Sequence, residues 1–351
     1  MSRDKLIILG VVVLGLLGFL VYQQTKKDES IGQPTVASKD FPTVSAPEDI
    51  DKISITNGDK GEVVLQKVAG PGVMVDADAG SDGVWELVKP VAAKANQQTA
   101  KDIVANLKKL KVESQINLKL DDDVKKDKNL DATHGVHVVA WKGADKKVDE
   151  IFGKSGPAGQ LVMVADKPDK VWAISTKEDA YSAYLYTKEA KDYRDKDIFK
   201  FDDANVAQMT IVNSHGTLSF TKGDKWVGTL DKKPIPGFSE DKVKDMLKTY
   251  KALSADDFGD GKTLADTGLD KPDGTLSIVL KDGAGKYDLL LGKSATGANH
   301  WAKRPGDDAI FQLTATTSEW LSADGSKFAA AADAGAAAPE GGPKVSMKGK
   351  K

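Results

Sequence analysis

Apolar residues are distributed along this chain in three ways, and each spacing predicts a different element. The run LIILGVVVLGLLGFLVY, from Leu6 to Tyr22, is uninterrupted and uncharged, with Arg3 and Lys5 before it and Lys26 and Lys27 after it. At about 1.5 Å per residue it reaches about 26 Å as a helix, enough to cross a hydrocarbon core. A signal peptide would have a shorter apolar stretch and a small-residue cleavage site, whereas VYQQTKKDES follows here, so an uncleaved anchor is expected. A second spacing, of period two, marks the strands KISIT and EVVLQKV, joined across a turn at Asn57-Gly58. The third recurs every three or four residues, at Ile103, Leu107 and Leu110 and again at Val243, Met246, Leu247 and Tyr250. That is the signature of an amphipathic helix, for which Thr99 and Ser239 are the expected N-caps, followed by acidic residues in the first turn.

These patterns occur twice. Gly153-Lys154-Ser155 returns at Gly292-Lys293-Ser294, an offset of 139 (292 minus 153), and the same offset held without gaps over Leu130 to Ser175 leaves about ten identical positions where roughly three would arise by chance. It pairs Leu130 with Leu269, Gly135 with Gly274, Val139 with Ile278 and Trp172 with Phe311. Upstream, with small gaps, KISITN matches QMTIVN and the helical segments match each other. Each copy reads as two strands, a third carrying Trp85 or Trp226, a helix, a variable loop and three more strands. A helix and a sheet each offer one apolar face, so packing one on the other closes the unit. The expected fold is α+β: two tandem repeats of an antiparallel sheet with a packed helix, preceded by one transmembrane helix. The boundaries drawn are an anchor at 1–27, a polar, proline-punctuated linker at 28–47, repeats at 48–197 and 198–328, and a disordered Ala/Gly/Lys-rich tail at 329–351.

Composition narrows the chemistry. With 50 basic and 52 acidic residues, net charge -2, well mixed along the chain, there is no basic stripe for nucleic acid. Zero cysteines exclude thiol catalysis, disulfides and thiolate metal sites. The Gly-Lys-Ser segments end like a phosphate-binding loop, but that loop needs a glycine five residues upstream, where Val148 and Tyr287 stand. Each segment also follows a strand and precedes another strand, not a helix N-terminus. No nucleotide is expected, and the three letters read as a strand end. Gly153 to Pro157 makes no nucleophile elbow either.

The remaining constellations have structural readings. His134 and His137, spaced as on opposite faces of a strand, and the isolated His215 and His300 give no metal set. DADAGSDG, Asp76 to Gly83, resembles a calcium loop but lacks its central glycine and has Leu87 where a bidentate glutamate belongs. Asp121 to Asp123 and Asp256-Asp257 lie in hydrophilic loops and read as solvated. Trp301 and Trp320 are the tryptophans not accounted for by the repeat, and carbohydrate stacking is their functional reading. No catalytic, cofactor-binding or metal-binding residue is therefore assigned.

The segments DYRDKDIFKFDDANVAQMTIVN, GVWELVKP, GLDKPDGTLSIVL and LLLGKSATGANHWAKRPGDDAIFQL resemble a bacterial domain-of-unknown-function family, number 4340. The 69–83 insertion and the Ala/Gly tail depart from its usual outline. The resemblance implies an N-terminal anchor with repeated α+β units outside the cytoplasm, in a protein encoded beside ABC-type permeases and the auxiliary proteins of gliding-motility-like transport systems. It carries no catalytic residues. The expectation is a non-enzymatic accessory or scaffold subunit of an ABC-type envelope transport complex, single-pass in the inner membrane with its body in the periplasm or extracytoplasmic space, its partners a permease or auxiliary envelope protein. A tethered cell-wall or glycan-binding module is the alternative.

Overall fold

The computed structural model describes residues 41, 50–68, 83–116, 118–157, 159–175 and 183–330. The expected anchor, most of the linker, residues 76–82 of the calcium-like segment and the tail from residue 331 lie outside them. Among the described residues no helix is long and apolar enough to cross a membrane. The chain divides into two units between Asp195 and Lys196.

Unit 1 is a nine-stranded antiparallel sheet. Its strands are β1 (Lys52–Asn57), β2 (Glu62–Val68), β3 (Val84–Lys89), β4 (Ala93–Lys94), β5 (Val112–Ile116), β6 (Val136–Lys142), β7 (Asp145–Gly156), β8 (Gly159–Val164) and β9 (Val171–Ile174), in the order β4-β3-β2-β1-β6-β7-β8-β9-β5. Two α-helices interrupt them, α1 (Gln97–Lys108) and α2 (Asp122–Asp127). Unit 2 repeats the plan with β10 (Val206–Asn213), β11 (Gly216–Lys222), β12 (Trp226–Leu230), β13 (Lys233–Pro234), β14 (Asp257–Phe258), β15 (Gly274–Leu280), β16 (Lys286–Ser294), β17 (His300–Lys303) and β18 (Phe311–Leu313). Their order, β13-β12-β11-β10-β15-β16-β17-β18-β14, is that of unit 1 strand for strand. The helices of unit 2 are α3 (Glu240–Tyr250), α4 (Leu264–Thr267) and α5 (Ala315–Ser318). The duplication is thus present in the topology. Each unit is more strongly β than expected, because the two-residue β4 and β13, the edge strands β5 and β14, and a fourth strand after the variable loop carry no readable period.

In each unit the inward-facing residues of the strands meet the apolar stripe of the long helix. Ile53, Ile55, Leu65, Leu87, Val138 and Phe152 pack with Ile103, Val104 and Leu107 of α1. Met209, Ile211, Leu218, Phe220, Leu276 and Leu289 pack with Val243, Met246 and Tyr250 of α3. The N-caps differ from expectation. Asn96 caps α1, its side chain accepting from the Thr99 N–H at 2.9 Å, so Thr99 lies inside the helix, whose first turn has no acidic residue. Ser239 occupies the N-cap position of α3 but makes no side-chain cap bond, and Glu240 and Asp241 supply the first-turn charge instead. A second, smaller cluster lies on the other face of each sheet: Leu130, Met163 and Val171 in unit 1, Leu269, Trp301 and Ile310 in unit 2.

The ungapped offset of 139 holds for β7 with β16 and β9 with β18 but slips in between. Ile53 faces Ala140 and the equivalent Met209 faces Ile278, which makes the β6 to β15 offset 138 (278 minus 140). Matching Val139 to Ile278 therefore set an outward-facing residue against an inward-facing one, since one residue of slip exchanges the faces of a strand. Gly135 likewise is not the structural equivalent of Gly274, which takes the place of Val136 opposite Phe152 or Leu291. In β8 and β17 the offset becomes 140: Val162 faces Phe152 as Ala302 faces Leu291.

Candidate functional site

The repeated Gly-Lys-Ser segment closes β16, whose last residue is Ser294, and in β7 it stops one residue short of the last, Gly156. Both copies also form a β-bulge: three steps from Phe152 to Ser155 oppose two from Val162 to Gln160, and three from Leu291 to Ser294 oppose two from Ala302 to His300. The glycine is required by close approach. A Cβ on Gly153 would sit 2.5 Å from the Lys128 carbonyl oxygen, and one on Gly292 would collide with that of Thr267. In unit 1 the neighbouring Lys154 N–H donates to the Lys128 carbonyl at 2.8 Å. The segment thus pins the turn carrying Leu130 or Leu269 to the outer face of its sheet.

Each bulge is tied by the residue opposite it. In unit 1 the buried Gln160 donates from Nε2 to the Gly153 carbonyl. In unit 2 the equivalent residue is His300, whose Nε2 is 3.4 Å from the exposed Ser294 Oγ and whose Nδ1 is 3.0 Å from the buried Ser318 Oγ. Ser318 spends its own proton on the Ala315 carbonyl at 3.2 Å, so it accepts from Nδ1–H and leaves the Nε2 lone pair aimed at Ser294. His300 is therefore not isolated, as its place in the sequence suggested. The chain has the order nucleophile, base, orienter. Acyl transfer also requires N–H donors about 3 Å from the developing oxyanion, and the amide next to Ser294, that of Ala295, is committed to the Asn299 carbonyl at 2.7 Å. With Gln160 filling the same role in unit 1, the His300 chain reads as a bulge tie.

The other histidines and acids are also accounted for. His134 lies in a turn before β6, 2.9 Å from the Asp131 carboxylate. His137 reaches across to Asp149 at 2.6 Å on the outer face of unit 1. Despite a desolvation penalty that works the other way, the hydrogen bonds from Lys146 and His137 hold the Asp149 carboxyl below its ordinary value. His215 is exposed, its backbone N–H donating to Asn213. Asp121 caps α2 by accepting from Val124, and Asp256 accepts from Asn299 at 2.8 Å. No group of three or more potential ligands that could hold a metal occurs among the described residues. Trp301 and Trp320 are only 8% and 9% exposed, packed in the outer and inner clusters of unit 2, so neither ring offers a stacking surface.

What distinguishes the two units is the face of the sheet turned away from the long helix. In unit 1 it carries charge: Glu62 pairs with Lys89 at 2.9 Å, Lys146 with Asp149, and Lys52 lies over the Trp141 ring. In unit 2 one row across five strands reads Thr229, Ser219, Thr210, Ser277, Asp288. A parallel row reads Val227, Thr221, Gln208, Val279, Lys286. Val212, between Thr217 and Thr275, lies in a third row on the other side of Thr210. Charge enters only at the β16 end, where Lys286 and Asp288 pair with each other at 2.8 Å. Val212 and Val227 are 45% and 59% exposed. Site-directed chemistry could not have been read here from motifs; the signal was the Thr/Ser/Val content of alternate strand positions.

The sequence model of a family described as Domain of unknown function (DUF4340) matches residues 85–272 and again 240–332, together more than half of the chain. The chain belongs to this family. The DUF4340 match begins at Trp85 in β3, and its second segment begins at Glu240, the first residue of α3. No curated protein and no solved structure matches the chain.

Proposed function

We propose that this DUF4340 protein is a single-pass, membrane-tethered, extracytoplasmic scaffold subunit of an ABC-type envelope transport complex, and that the uncharged sheet face of unit 2 receives its protein partner. The observation carrying the docking surface is the Thr/Ser/Val array over β10, β11, β12 and β15 with two valines strongly exposed. An extended face that is only weakly polar loses little on desolvation and gains from apolar contact, which suits a protein surface better than a phosphate or a solvated ion. The edges of the sheet suit it less. In unit 2 both edge strands, β13 and β14, have two residues each, too short to template an added strand. The tether rests on the uncharged run at 6–22.

Cross-linking and purification of the full chain from membranes in mild detergent tests this reading. The expected result is recovery of an ABC-type permease or its auxiliary protein, and loss of that protein when Thr210→Lys and Ser277→Lys place charge in the middle of the array. Recovery of the same partner by the doubly substituted chain would remove the docking surface, and recovery of neither partner by the wild type would remove the function.

A further inference from the structure

Glu150 lies in the middle of β7 with its side chain on the inward face and is 0% exposed. Its cross-strand neighbours are Val138 and Val164, and the residues two before and two after it, on the same face, are Val148 and Phe152. Neither carboxyl oxygen has a hydrogen-bond partner among the described residues. The equivalent position of unit 2 is Leu289 (150 plus 139), also fully buried, opposite Leu276. A carboxyl group thus stands where the duplicate fold places a leucine. An unpaired carboxylate in such surroundings has lost its hydration with nothing in return, whereas the neutral acid loses far less.

We propose that Glu150 is a proton-dependent lock, unit 1 being folded with this side chain in its neutral acid form and loosened when the side chain ionises, while unit 2 is indifferent over the same pH range. Among the described residues the surroundings supply no competing charge. Asp149, on the opposite face and bound by His137 and Lys146, disfavours ionisation of its neighbour. Among the described residues the ionisable groups buried elsewhere in unit 1 are Tyr186, whose hydroxyl donates to Asn106, Tyr193, whose hydroxyl donates to the Leu185 carbonyl, and Arg194, which is not bonded to Glu150. Desolvation raises the Glu150 carboxyl well above its ordinary value. With the folded value above the unfolded one, the stabilisation is complete below the unfolded value of about 4.3 and declines as pH rises towards the folded value. Carboxyls held low, such as Asp149, Asp131 and Glu62, act in the opposite sense at more acid pH.

Two measurements on the full chain in detergent test the lock. In urea unfolding followed by a hydrogen-exchange pulse at fixed pH and peptide mass spectrometry, the unfolding constant of β6–β8 peptides is expected to rise about tenfold per pH unit above the unfolded carboxyl value. That slope disappears in Glu150→Leu and Glu150→Gln, with Glu150→Leu more resistant than wild type at neutral pH, and β15–β17 peptides never show it. Difference infrared spectra of glutamate-labelled wild type and Glu150→Gln are expected to contain a neutral carboxylic acid band at pH 7. An unchanged slope in Glu150→Gln, or a carboxylate band in place of the acid band, overturns the proposal, and the spectroscopic arm reads wild type even where a variant fails to fold.

Discussion

At the scale of single residues, the Gly-Lys-Ser pair shows how a short motif can be conspicuous for a reason unrelated to its resemblance. Gly292 admits the Thr267 carbonyl and Gly153 that of Lys128, so the glycine serves turn packing against a bulge. Gly292→Ala is expected to destabilise unit 2 by about 1–3 kcal/mol, the usual cost of forcing a methyl group into a filled space, measured as a lowered urea midpoint. Ser294 is expected to stay unlabelled by a fluorophosphonate probe at concentrations that label an activated serine, because His300 serves the bulge. Labelling of Ser294 that vanishes in His300→Ala would show the opposite. The sequence pointed away from a phosphate-binding loop here because Val148 and Tyr287 stand where its glycine belongs. It could not reveal the bulge, since an extra residue in a strand leaves no trace in composition. Nor could it reveal the contact of His300 with Ser318, eighteen residues away.

At the scale of elements, amphipathic periods found both long helices, and alternation found β1, β2, β10 and β11. The failures share a cause. Thr99 read as a cap because it has the right side chain near the start of the apolar stripe, but Asn96, one turn earlier, takes the bond. Asn96→Ala is expected to cost about 1 kcal/mol of unit 1 stability, and Ser239→Ala much less, because Ser239 makes no cap bond; thermal unfolding by circular dichroism compares the two. The slip of β6 against β15 was hidden for a related reason. Unit 1 has one more residue between Leu130 and the strand, and unit 2 one more in the hairpin that follows, so the offset returns to 139 at β7 and the two differences cancel. A register is fixed by cross-strand partners such as Ile53 with Ala140, which no ungapped comparison contains.

For the molecule as a whole, the duplication was legible and the division of labour between copies was not. Unit 1 concentrates ion pairs on its outer face and unit 2 hydroxyls and valines, a difference visible only once strand register assigns each residue a side. Acid is expected to weaken unit 1 below about pH 4, because Asp149, Asp131 and Glu62 are held low when folded and take up protons on unfolding. Urea midpoints measured between pH 3 and 5 test this, and Asp149→Asn should lessen the loss.

The identical strand order has a further consequence during synthesis. A chain holding two sheets of one design offers every strand a rival berth in the other copy, the circumstance in which tandem domains misassemble. The two copies are not interchangeable in detail. β7 in the berth of β16 would set Glu150 where Leu289 packs, and β6 in that of β15 would set Ala140 where Ile278 fills the core. Glu150 is buried in its own sheet as well, so the first exchange changes little, whereas the second opens a void, and the drift from Ala140 to Ile278 therefore helps to keep these two strands with their own sheets.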